Sequence, residues 1–138
     1  MSKHVYLRAY MAGITVPSVL MVFALISFCV VRFSYHFPFP IERAMVFPIA
    51  LVPPLWGLWN MLYVALRRHR RLPLGLHGAV VPLFVGPLGF ATIRTSGFDI
   101  PPLVAAVFPF GVAVAIVGYY LVWKYLVGFL NELVEIGS

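Results

Sequence analysis

The sequence predicts an all-α integral membrane protein with four transmembrane helices, and three observations carry that prediction. Of the 138 residues, 62% are hydrophobic and only 10% charged, against about 25% charged in a typical soluble domain, so the chain cannot clothe a water-facing surface. Four apolar stretches reach the roughly 20 residues that a helix needs to cross a bilayer. Basic residues punctuate these stretches instead of interrupting them, as expected when an Arg or Lys at mid-bilayer costs about 3 kcal/mol or more.

The spans fall at residues 9–31, 44–66, 74–93 and 103–123, and residues 1–138 read as a single membrane domain. Arg8 and Arg32 bracket the first span, Arg43 precedes the second and Arg94 closes the third. Arg67, Arg68, Arg70 and Arg71 separate the second from the third. Basic residues in short loops mark the cytoplasmic side. Lys3 and Arg8 therefore share a compartment with the arginine block, and the topology is N-in, C-in. The opposite loops carry a weaker, partly balanced set: Arg32, Glu42, Arg43, Arg94 and Asp99. The first span is too long for the 7 to 15 residue core of a signal peptide and is expected to remain in the mature protein. Cys29, the single cysteine, cannot form an internal disulfide and reads as a small apolar side chain.

Twelve prolines and eleven glycines mark the interiors of the spans. A proline inside a helix removes one hydrogen bond and crowds the carbonyl four residues earlier, and membrane helices absorb this where neighbouring groups are small. The candidate kinks are Pro17, with Gly13 four residues before it; Pro82, with Gly78 in the same relation; and Pro48, Pro87 and Pro109. The stretch from Gly13 to Pro17 resembles that from Gly78 to Pro82, 65 residues on, and Val46-Phe47-Pro48 matches Val107-Phe108-Pro109, 61 residues on. Two similar offsets suggest a duplicated two-helix hairpin. The competing explanation is chance matching between apolar, proline-rich spans.

Polar residues within the spans are the default functional candidates. Asn60 lies about 9 Å from the cytoplasmic end of span two, with Trp56, Trp59 and Tyr63 as helix neighbours. This aromatic-lined amide suits either a ligand or a clamp between helices. His77, near the start of span three, is expected at a similar depth and within reach of Asn60. It could titrate, ligate haem or simply be hydrogen-bonded, but no second histidine falls at a matching depth, so no cofactor or metal is expected. Glu42, Asp99, Glu132 and Glu135 all lie at or beyond span ends, which disfavours proton-coupled transport. Residues 124–138 suggest an amphipathic helical tail in which Lys124, Gly128, Asn131 and Glu135 share one stripe. Its acids would suit the arginine block. Arg67, Arg68, Arg70 and Arg71 are candidates for contact with anionic lipid or a partner.

No nucleophile and base can be brought together from these spans, and nothing favours nucleic acid. The sequence thus points to a non-enzymatic membrane protein, an accessory or assembly subunit or a homo-oligomeric structural unit, in contact with membrane lipids. Short loops and the positive-inside pattern suit a bacterial inner membrane. The alternative is a small oligomeric channel or transporter lined by Asn60, His77 and the span-two aromatics.

Overall fold

The computed structural model describes residues 4–36, 49–67, 72–95 and 102–136. Every regular element among them is helical. Four stretches, Val5–Ser34, Ile49–Leu66, Leu74–Ala91 and Ala105–Leu133, are long and apolar enough to cross a membrane. The chain has the architecture of a multi-pass membrane protein.

Helix α1, Val5–Ser34, runs for 30 residues, about 45 Å against a hydrocarbon core of about 30 Å. Its buried residues are Ala9, Ala12, Gly13, Val16 and Pro17, spaced three and four apart on one face of its first half. The second half exposes Val19, Leu20, Phe23, Ile26 and Val30. Helix α2, Val52–Leu66, follows one 3-10 turn, Ile49–Leu51. Pro53 and Pro54, which a span over residues 44–66 would place inside a helix, stand in the first turn of α2. Backbone N–H groups lack intrahelical acceptors there, so the prolines start this helix without breaking it. Pro48 lies outside the described residues.

The third span is two helices, α3 (Leu74–Ala79) and α4 (Val81–Thr95), with Val80 between them. Pro82 has no N–H to give the Gly78 carbonyl, and the chain turns instead through a bond from the Leu83 N–H to the Val80 carbonyl, 3.1 Å. Pro17, Pro87 and Pro109 each lie within an assigned helix. The fourth span begins as α5 (Pro102–Val122), passes through a π-helical segment (Trp123–Val127) and continues as α6 (Gly128–Leu133). The Gly128 N–H reaches back five residues to the Trp123 carbonyl, the wider closure that defines a π turn.

The chain forms two compact units. The first comprises Met1–Ala65 with Leu130–Gly137, and the second comprises Leu66–Phe129. In the first, α1 and α2 approach closely at two glycines: a Cβ on Gly13 would lie 2.6 Å from the Trp56 carbonyl oxygen and 2.9 Å from the Gly57 Cα, and one on Gly57 would lie 2.6 Å from the Tyr10 ring. The α2 residues on this face are Pro53, Trp56, Gly57, Asn60, Tyr63 and Val64, all buried. In the second unit, α3 packs on α5 and the π segment, and α4 packs on α5. Gly75 accepts the Tyr120 ring at 2.8 Å from its missing Cβ, and Gly78 accepts the Trp123 side chain in the space its own Cβ would fill. Phe90 of α4 meets Phe108 of α5 at a centroid separation of 4.6 Å.

Candidate functional site

Within the first unit two buried amides, those of Asn60 and Asn131, are brought together. Helical spacing brings Asn60 onto the face of α2 that carries Trp56 and Gly57, and the two glycines let α1 come near enough for a side chain to reach its backbone. Asn60 is 0% exposed and Asn131 1%. The Asn60 Nδ2 donates to the Ala9 carbonyl at 2.8 Å and to the Asn131 Oδ1 at 2.8 Å, and the Asn131 Nδ2 donates back to the Asn60 Oδ1 at 3.2 Å. Both protons of the Asn60 amide and one of its oxygen's lone pairs are thus taken by protein groups. Three segments, α1, α2 and the end of α6, meet at one pair of amides.

The same α6 terminus is tied down a second time. Arg8 Nη1 donates to the Val134 carbonyl and to Glu135 Oε2, each at 3.3 Å. Glu135 has φ 56°, the left-handed conformation of a helix-terminating C′ residue. The Ile136 N–H bonds to the Asn131 carbonyl at 2.9 Å and the Glu135 N–H to the Glu132 carbonyl at 3.0 Å. This pair of bonds is a Schellman cap, completed by burial of Ile136 at 5% exposure. Arg8 places its cation on the carbonyl end of that helix, where the backbone dipoles favour it. Since Glu135 is largely exposed, the ion pair itself adds little stability.

The sequence-predicted residues divide accordingly. Trp56 and Tyr63 are buried beside Asn60, whereas Trp59 is half-buried. The amide hydrogen bonds of Asn60 go to Ala9 and Asn131, and His77 belongs to the other unit. His77 is 7% exposed and meets Trp123 edge-on, with ring centroids 6.0 Å apart and planes at 68°. The stripe expected of Lys124, Gly128, Asn131 and Glu135 is split: Gly128 and Asn131 are buried, Lys124 and Glu135 exposed. The π segment widens the turn after Lys124 and so moves the residues beyond it out of α-helical phase. Glu135 pairs with Arg8. Arg68, Arg70 and Arg71 lie outside the described residues, and Arg67 follows α2 half-buried.

Sequence reasoning missed Gly57, Ala9 and the pairing of Asn60 with Asn131. One signal was present: two asparagines within strongly apolar helices each need a partner, and an amide can satisfy an amide reciprocally. Cations sit over rings at span ends: Arg32 over Phe33 at 5.8 Å, Arg94 over Phe90 at 6.0 Å, and Lys124 over Tyr120 at 5.7 Å and Tyr125 at 5.2 Å. Such pairs belong at a membrane–water boundary, where amphipathic side chains keep their charge in the headgroup layer. Among the described residues, no three His, Cys, Asp or Glu side chains gather as a metal site would require.

The fold and these contacts define a helical multi-pass membrane protein. No family model, curated protein or solved structure matches the chain.

Proposed function

We propose that this protein is a non-enzymatic membrane subunit whose work is assembly, either as an accessory component of a larger complex or as a homo-oligomeric structural unit. The observation that carries this reading is the use of Asn60. Its amide protons are both bound within the protein, and the aromatics beside it, Trp56 and Tyr63, are buried. A pathway through the protein would want such groups facing water. The rival reading, a small channel or transporter lined by Asn60, His77 and the span-two aromatics, draws less support from this burial. Apolar surface is abundant: α1 beyond Pro17 has no fully buried residue, and Phe23, Leu20 and Ile26 are each more than half exposed.

The finer architecture belongs to the same proposal. Positive-inside charge favours N-in, C-in, and the Arg8–Glu135 bond, which joins the start of α1 to the end of the last helix, supports an even number of crossings. The two α-helical hairpins read as a duplication. The buried positions of α1, Ala9, Ala12, Gly13, Val16 and Pro17, recur 65 residues on as Leu74, His77, Gly78, Val81 and Pro82, all buried. The neighbours of the two glycines differ, since Gly13 faces the Trp56 backbone carbonyl and Gly78 the Trp123 side chain. The Val-Phe-Pro match adds nothing to this, because its first half lies outside the described residues. Helix kinks at Pro17, Pro87 and Pro109, contact of the arginine block with anionic lipid, and a bacterial inner membrane as the setting complete the reading.

A photo-reactive residue in place of Phe23, activated in native membranes, tests the assembly role. The expected outcome is a covalent adduct of discrete protein mass. Adducts to lipid alone from this position would count against it.

A further inference from the structure

We propose that Lys124 forms a lipid site: its ammonium, held over the rings of Tyr120 and Tyr125, binds the phosphodiester of an acidic phospholipid. This goes beyond the assembly role and rests on other residues than the arginine block, all within the second unit. The ammonium stands 5.7 Å from the Tyr120 ring centroid and 5.2 Å from that of Tyr125. Aromatic faces attract a cation but leave its charge in place, so an anion is still called for.

The packing beneath this ammonium holds it in position. The Tyr120 ring lies on Gly75 of α3, 2.8 Å from where a Cβ would stand, and Trp123, 0% exposed, fills the space above Gly78. Lys124 follows Trp123 in the π segment, and while the indole is buried the lysine is exposed. Tyr125 is 59% exposed and supplies the second ring on the open side.

Depth and charge identify the ligand. From Ala105, where the apolar span begins, Lys124 is about 29 Å along the helix at 1.5 Å per residue, against a hydrocarbon core of about 30 Å. A span that enters the core at Ala105 therefore delivers Lys124 to the opposite headgroup layer, where lipid phosphates lie. Among the described residues, neither the ammonium nor the Tyr120 and Tyr125 hydroxyls have a hydrogen-bond or ion-pair partner. Nor is any Asp or Glu among the described residues of this unit. The ammonium has three protons to donate and each hydroxyl one, and the free oxygens of a phosphodiester only accept. A choline would set a second cation beside the lysine, so a headgroup of net negative charge is preferred to a zwitterionic one.

Lys3 and Lys124 are the only lysines, so Lys3→Gln leaves one side-chain amine to observe. This full-length variant, isotope-labelled at lysine Nζ, is placed in vesicles of equal parts phosphatidylcholine and phosphatidylglycerol for nitrogen–phosphorus correlation by solid-state NMR. Nζ is expected to prefer phosphatidylglycerol phosphorus by more than the about fivefold that one basic residue supplies near a membrane surface. In Tyr125→Leu the preference is expected to fall to that level. In vesicles of phosphatidylcholine with inorganic phosphate in the buffer, no correlation to the free phosphate is expected. Absence of a phosphatidylglycerol contact, a preference no greater than general surface attraction gives, no change in Tyr125→Leu, or an equal contact to inorganic phosphate each overturns the proposal. Should Lys3→Gln fail to fold, the unaltered chain gives the same reading from the signal lost in Lys124→Gln.

Discussion

Asn60 commits both amide protons to acceptors inside the protein, one on a backbone and one on another amide. A polar group buried without such partners costs about 1–3 kcal/mol, although in membranes the net worth of an interhelical hydrogen bond averages nearer 0.6 kcal/mol and rarely exceeds about 2. Asn60→Leu and Asn131→Leu are each expected to destabilise the protein by about 1–2 kcal/mol, and the double variant by less than the sum, because each single change strands the other amide. Unfolding titrations in mixed micelles measure all three. Strict additivity would separate the two residues energetically and contradict the reciprocal pair. Asn60 was visible in the sequence as a clamp-or-ligand candidate, because an amide among tryptophans in an apolar helix is conspicuous. Its partner was not, because Asn131 is 71 residues away and lies past a π turn that removes it from the α-helical phase on which the tail was read. The left-handed Glu135 was equally hidden: a glycine is the usual signal for that conformation, and here an acid occupies it, held by Arg8.

Among the helices, glycine decides where backbones meet. The sequence singled out Gly13 and Gly78 as relief for Pro17 and Pro82, four residues later in each case. Their larger part is to admit a neighbouring helix, which no one-dimensional spacing reveals, since it depends on what stands opposite. Gly13→Ala is expected to cost on the order of 1–3 kcal/mol, because its Cβ would meet the Trp56 carbonyl and the Gly57 backbone, which cannot swing aside as a side chain can. Gly118→Ala, with nothing within 4 Å of the added methyl among the described residues, is expected to be neutral or to gain up to about 1 kcal/mol from helix propensity. Thermal unfolding of the two variants side by side checks the contrast, and equal effects would contradict the helix contact at Gly13. Proline was legible in part. Pro82 coincides with a division of its span at Val80, while Pro53 and Pro54 begin a helix, a distinction set by where the first turn falls.

The whole molecule was the most legible scale. Composition and the spacing of arginines indicated a four-span helical protein, and four helices long and apolar enough to cross a membrane are present. The reason is physical: a bilayer fixes the length and polarity of whatever crosses it, whereas contacts between spans depend on side-chain registry. Much of the apolar surface remains outward. None of the most apolar stretch of the fourth span is buried, and 11% of that of α1 is, so lipid or other polypeptides must cover the rest. The assembly reading says that polypeptides take a share of it. The most direct measurement is the intact mass of the particle released from its native membrane in lipid nanodiscs without detergent exchange. The account predicts either several copies of the 15.4 kDa chain or this chain with other subunits in fixed proportion. A particle holding one copy and lipid alone would contradict it.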